Sequence, residues 1–374
     1  MNKISLEKSI DKMKDFYALK PDAPIYQIEF GFYCKDRWIS EGHISEDTDI
    51  WEVPEFGYDP GTTATLGGMG WVTAPFYPNF PEIEIEDRGE QEVIQDTAGR
   101  YVLYFKGRRN GFMPEYIDHP VKDMKSWEEN CKWRLDPNTP ERIANIENGI
   151  PNILANVKKG KSPVQQMIGG YMYLRSLIGP LDLMYKFYDE PELIHSCMQT
   201  WLELADATAK KHQEYIEIEE LFLAEDICYN HGSLISPDMM REFLFPYYQQ
   251  LIENIKSRQN HKNFRIQIDT DGFAVPVIDV YKEIGMNFMS PFEVASNCDV
   301  IEVGKQYPDL LIKGGIDKRI LAESKGAIDR EIERIMPVMK KRGGYIPTCD
   351  HGVPEEVSFE NYLHYRKRML DYAK

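Results

Sequence analysis

The feature that most restricts how this chain can fold is a run of short apolar segments in its C-terminal half, each followed by a stretch with helical periodicity. They are "LFLAEDI" (221–227), "FRIQIDTDG" (264–272), "MNFMSPFE" (286–293), "LLIKGGID" (310–317) and "GYIPTCDH" (344–351). Near-continuous apolar runs of this length that alternate with helices are the signature of a parallel sheet built from βα units. The helical stretches carry end signals. Ser236 and Pro237 open "SPDMMREFLFPYYQQLIENIKS", which Pro246 is expected to bend, Gly285 closes "VPVIDVYKEIG", and a glycine pair follows the basic last turn of "SKGAIDREIERIMPVMKKRGG".

Upstream, "APIYQIEFG" (23–31) and "VQQMIGGYM" (164–172) read as two more strands, and an eighth is expected within 50–73, where "TTATLGGMGW" is too glycine-rich to fix its bounds. Eight such strands close a (β/α)8 TIM barrel, so residues 1–374 are expected to form one α/β barrel domain. Residues 82–107 alternate polar and apolar side chains around the turns DRG and TAGR, and are expected to form a small β meander inserted near the second strand.

Composition narrows the function. The chain of 374 residues carries a net charge of −17, which disfavours nucleic acid and anionic membranes as partners. No apolar run approaches the roughly 18–20 residues of a membrane span. The mixed-charge N-terminus "MNKISLEKSIDKMKDFYALK" reads as a cytoplasmic helical start without a targeting signal. Six scattered cysteines, with no CxxC, read as free thiols.

In a parallel barrel the residues just past the strand ends converge on one mouth. Here the ends are acidic: Glu29, Glu225 with Asp226, Asp269 with Asp271, Glu293, Asp317, and Asp350 with His351. Crowded carboxylates need a compensating positive centre. The basic residues Lys313, Lys318 and Arg319 lie close in sequence to only one of these strands, which favours a metal ion over structural ion pairs. For Asp269 and Asp271 the plain alternative is an Asx turn or helix cap, for Glu293 the binding of backbone amides, and for Asp317 an N-cap. His351 is the strongest functional candidate, and alternation along a strand would put Cys349 on its side. Of the other histidines, His195, His212, His261 and His364 read as surface or packing residues, with His231 a second-rank candidate.

"FLAEDICYNHGSLISPDMMREFLFPYYQQLIENIK", "KGGIDKRIL" and "CDHGVPEEVSFENY" resemble segments of the uroporphyrinogen decarboxylase superfamily of (β/α)8 barrels. The resemblance spans most of 160–374 and weakens before 130. It implies either a decarboxylase or a corrinoid-dependent methyltransferase. The decarboxylase places arginines after its first strand, where this chain has "YQIEFGFYC" and Glu29; a carboxylate there would repel a polycarboxylated tetrapyrrole. The thiol methyltransferases of the superfamily hold zinc through His-x-Cys and a later Cys, and these positions carry over to Asp269, Asp271 and His351.

An oxygen-rich zinc site of this kind suits polarisation of an oxygen or nitrogen leaving group. The resemblance therefore implies a methyltransferase of O-demethylase type. It would move a methyl group from a small methylated substrate, an aryl methyl ether or a methylamine, to the cobalt of a corrinoid protein. Asp269, Asp271 and His351 would be metal ligands, with Glu225, Glu293 and His351 in catalytic roles. The alternatives are a metal-independent decarboxylase or lyase of the same fold, and a noncatalytic corrinoid- or tetrapyrrole-binding protein.

Overall fold

The computed structural model describes residues 4–107, 114–261 and 264–374; the first three residues of the expected N-terminal helix lie outside it. Seven parallel strands form the central sheet: β1 (Thr63–Met69), β6 (Ser162–Ile168), β7 (Glu220–Ala224), β10 (Arg265–Asp269), β11 (Phe288–Ser290), β12 (Leu311–Lys313) and β13 (Tyr345–Ile346), adjacent in that order. In the chain between β1 and β6 comes a separate antiparallel sheet of β2 (Ile83–Arg88), β3 (Gln91–Gln95), β4 (Tyr101–Phe105) and β5 (Glu115–Asp118). The expected meander is thus present and runs one strand further than 82–107. A two-residue hairpin, β8 (Cys228–Tyr229) and β9 (Gly232–Ser233), caps the end of β7. The α/β architecture is that of a TIM barrel.

Apart from 23–31, each expected central strand with stated bounds begins within two residues of its observed start but ends early. Past the ladder the chain turns, and the polar residues there bond through side chains. The expected strand 164–172 stops at Ile168, and Gly170–Ile178 is already helix. The strand sought within 50–73 is β1. As expected, Ser236 caps its helix through Met239 N–H (3.2 Å), and the helix breaks at Leu244, next to Phe245–Ser257.

The segment 23–31 departs furthest from expectation, because it is extended but forms no ladder. It ties the chain just before β1 to the chain just after β13, with isolated backbone bonds and buried side chains. Gln27 O accepts from Asp59 N–H (2.8 Å), and Gly31 O and Tyr33 N–H both bond Val353. Glu29 accepts from Cys349 N–H (2.7 Å) and from the Tyr362 hydroxyl (3.1 Å). Asp59, fully enclosed, accepts from Gln27 N–H (2.6 Å), Ser9 Oγ (2.9 Å) and Lys12 Nζ (2.9 Å). Arg366, from the helix Phe359–Leu370, donates to Gln27 Oε1 (3.0 Å) and Phe56 O (2.9 Å).

The helix Leu6–Tyr17 covers the N-terminal end of the sheet. Phe16 packs edge-on against Phe288 at 5.4 Å, and the Arg265 guanidinium lies 3.6 Å from the centre of the Tyr17 ring. The opposite end is left open for chemistry.

Candidate active site

The C-terminal ends of the strands open into a cavity of about 560 Å³. Asp269, at the tip of β10, faces it. The Ser290 hydroxyl donates to Asp269 Oδ2 (2.6 Å) and is itself fixed by Gln267 Nε2 (2.8 Å). Loss of hydration raises Asp269 to about 6, against the Ser290 hydrogen bond and the charge of Lys313, which both favour ionisation.

Two residues on, Asp271 rides a turn that only glycine can complete. Gly272 has φ +79°, and a Cβ there would lie 2.7 Å from the Tyr229 carbonyl. Asp271 is pushed up to about 7, first by lost hydration and then by the negative charges of Asp226, Glu293 and Asp269. His351 Nε2 stands 3.8 Å from Asp271 Oδ2. The imidazole is held by Phe30, at 4.7 Å between ring centres, and by the Tyr33 hydroxyl, 3.4 Å from Nδ1. Partial burial and the charge of Lys318 lower its pKa, which favours the neutral ring.

Sequence reasoning placed Asp226 among the acidic strand ends but did not select it, and missed its partner. Asp226 adopts φ +42°, a conformation few side chains take up, and binds Arg175 through a short charge-assisted hydrogen bond. Its N–H and that of Glu225 both donate to the Asp269 carbonyl (3.1 and 2.8 Å), so the two acidic strand ends are locked together. Phe30, Trp71, Met172 and Tyr116 supply the apolar wall. Arg100 and His119 complete it; Arg100 is paired with Asp96 (2.6 Å), and burial lowers His119 to about 4. Arg100, Tyr116 and His119 come from the inserted sheet and its exit, and nothing in their local sequence signals that they reach the mouth.

The other candidates fall elsewhere. Glu225 does not line the cavity. It is enclosed behind β7, where its carboxylate accepts from the Tyr248 hydroxyl (2.6 Å) and Tyr171 N–H (3.2 Å) at the start of the helix Gly170–Ile178. Glu293 accepts from Gly272 N–H (2.8 Å) and faces Lys318 at 3.5 Å, so it braces the turn that carries Asp271. Asp350 is fully buried and accepts from Val294 N–H (2.9 Å) and Lys318 N–H (3.2 Å). Asp317 chelates Arg319 in the cap-like manner expected. Cys349 and Thr348 are buried wall; Cys349 still pairs with Ile316 in an isolated parallel bridge, and His351 lies beyond it at the cavity. His231 is exposed, His195 bonds Tyr247 (3.0 Å), His212 bonds Gln165 (2.7 Å) and His364 pairs with Asp329 (2.8 Å).

Two inferences from the sequence are corrected by these positions. Glu29 does not confront a substrate, because it is buried in the seam near Arg366. Much of the positive charge that the acids require is supplied by the protein. Lys313, enclosed, lies within electrostatic reach of Asp269, Glu220 and Glu29; Lys318 serves Glu293 and Asp350; and Arg175 serves Asp226. Among the described residues no three His, Cys, Asp or Glu side chains converge as a metal-ligand set. Asp269 is engaged by Ser290, and His351 and Asp271 meet only as a pair. As they stand, Asp269, Asp271 and His351 do not form a ready-made zinc site.

Residues 143–370, more than half of the chain, match the family profile described as uroporphyrinogen decarboxylase (URO-D). The chain belongs to this family. Two curated relatives are named uroporphyrinogen decarboxylase. The one from Hydrogenobaculum sp. (strain Y04AAS1) is 25% identical over 125 residues, covering 33% of this chain and 34% of the relative. The one from Alcanivorax borkumensis is 26% identical over 186 residues, covering 46% and 47%. This URO-D family chain thus spans between a third and a half of the length of those relatives. It shares its fold with a solved methyltransferase from Methanosarcina mazei, with a TM-score of 0.50 and 16% identity over 70% of this chain and 73% of that one.

Proposed function

We propose that this URO-D family protein is a methyltransferase that takes the methyl group from a small aryl methyl ether and passes it to a corrinoid held by a partner protein. The observation that carries the reading is the meeting, in one cavity, of an aromatic and apolar wall with the Asp271 carboxyl group, which stands 3.8 Å from His351 and is raised to about 7 by lost hydration and neighbouring acids. The corrinoid, presented at the open mouth, would supply the nucleophile for the methyl carbon.

The substrate ring packs against Phe30 and Trp71, with its ether oxygen towards Asp271. As the methyl–oxygen bond breaks, its electron pair stays on oxygen, and the Asp271 proton passes to that oxygen so that a neutral phenol leaves. Neutral His351 accepts a proton from solvent and returns it to Asp271. Glu293 keeps the carboxyl group protonated by its own charge and holds Gly272 N–H. Asp269, fixed by Ser290, adds to the same field. Glu225 acts from behind, anchoring the helix whose Met172 and Arg175 line the cavity. No step requires a metal ion.

The test is incubation of the purified protein with Co(I)-cobalamin and a panel of methoxylated benzoates, phenols and methylamines, following methylcobalamin by absorbance. Turnover of the aryl ethers, sharply reduced by D271N, is expected. Turnover of methylamines alone would overturn the assignment of the substrate, and no methyl transfer from any donor would overturn the activity. A second reading, decarboxylation, draws on the names of the two curated relatives and on Arg100 and Arg175 in the cavity wall. It predicts CO₂ release from a carboxylated pyrrole without added cobalamin.

A further inference from the structure

A second cavity, of about 440 Å³, lies on the outer side of the sheet between β1 and the helix Pro140–Lys158, and shares no lining residue with the first. Its floor exists because "TATLGGMG" withholds side chains. A Cβ at Gly67 would meet nothing within 4 Å, and Gly70, with φ +67°, turns the chain away. Among the described residues lining it, Arg142 carries the one formal charge, since burial holds His212 down to about 4 and therefore neutral.

Arg142 is only 7% exposed. Its Nη2 donates to the carbonyls of Pro75 (2.8 Å) and Arg134 (3.0 Å), but its Nε is buried with no partner among the described residues. A guanidinium enclosed this far normally faces a carboxylate or phosphate, because an unpaired buried charge and an unused N–H are each costly. Asp136 is the acid that acts on it electrostatically, yet the two form no ion pair. Arg142 also sits in the first turn of a 19-residue helix, where the aligned peptide dipoles favour negative charge. Asn145 and Asn152 add amide donors one and three turns along the same face.

We infer that this cavity is a binding site for a small anion, the carboxylate or phosphate group of a metabolite, with Arg142 as its counter-ion. The anion lies beside the guanidinium, and the Asn amides select oxygen-rich ligands.

The test is calorimetric and thermal-shift titration of the full chain with inorganic phosphate and, separately, with acetate, against chloride at equal ionic strength. Saturable binding of one or both is expected, and the two arms identify which anion chemistry the site prefers. R142M removes the counter-ion, and G67L fills the floor without touching Arg142 or its carbonyl partners. Each variant should weaken binding by about tenfold or more. G67L decides the matter should R142M fail to fold. Wild-type titrations indistinguishable from chloride, or binding that persists in either folded variant, would overturn the assignment. Methyl transfer is not part of the readout, so this result stands apart from the proposed activity.

Discussion

Replacing Glu225 with glutamine separates the burial of a charge from the burial of a side chain. The wild-type carboxyl is fully enclosed and accepts hydrogen bonds from Tyr248 and Tyr171, which favour its ionised form. Desolvation outweighs them and raises the group from 4.5 to about 7. A raised carboxyl means that the folded state holds the proton more tightly than the unfolded state. Below pH 4.5 both states are protonated and the residue costs nothing; as the pH climbs to 7 the unfolded chain ionises first and stability falls. At 1.36 kcal/mol per pH unit the loss is about 3 kcal/mol, complete above pH 7.

Glutamine cannot ionise, so E225Q should escape this loss. Urea unfolding of wild type and E225Q between pH 4 and pH 8.5 isolates the effect, because contributions of all other groups cancel in the difference. The wild type should lose about 3 kcal/mol relative to the variant across the window. A difference that stays constant to within about 0.5 kcal/mol would refute the reasoning, since it would mean that Glu225 is ionised at its ordinary pKa in the fold.

D271N should lower kcat by about 10²- to 10⁴-fold, and wild-type kcat should fall tenfold per unit above pH 7, a limb absent from the variant's pH–rate profile. D59N leaves Lys12 buried without its counter-ion and should destabilise the fold by about 3–5 kcal/mol in urea titrations, with the m-value unchanged. Dialysis against a chelator should leave methyl transfer at its original rate; loss of rate restored by zinc would show that Asp269, Asp271 and His351 rearrange around an ion.

The apolar runs of the C-terminal half were legible as strands because burial on both faces writes a continuous signal into them. Their ends were not, because "DTDG" and "TCDH" continue the residue pattern where regular pairing gives out. The nearness of Asp271 and His351 was legible for a topological reason: the ends of parallel strands meet. What the pattern could not show was which acids had private partners. Asp350 and Asp317 look in sequence like Asp271, yet the first binds two backbone amides and the second chelates Arg319. Lys313 was set aside for lying on a single strand, but the interior of a barrel is narrow enough for one ammonium to serve carboxylates from several staves. The contributions from the inserted sheet were invisible because they depend on tertiary contacts with no local periodicity.

The seam between β1 and β13 has an evolutionary corollary. Elsewhere in the wall, adhesion comes from peptide groups, which every amino acid possesses, so those staves can drift in sequence while staying joined. At 23–31 only a few isolated peptide hydrogen bonds remain, and adhesion leans on the identities of Glu29, Asp59 and Arg366, distributed over three distant parts of the chain. Related proteins should therefore either keep that trio together or restore an ordinary eighth ladder, and chains that lose one member alone should be rare.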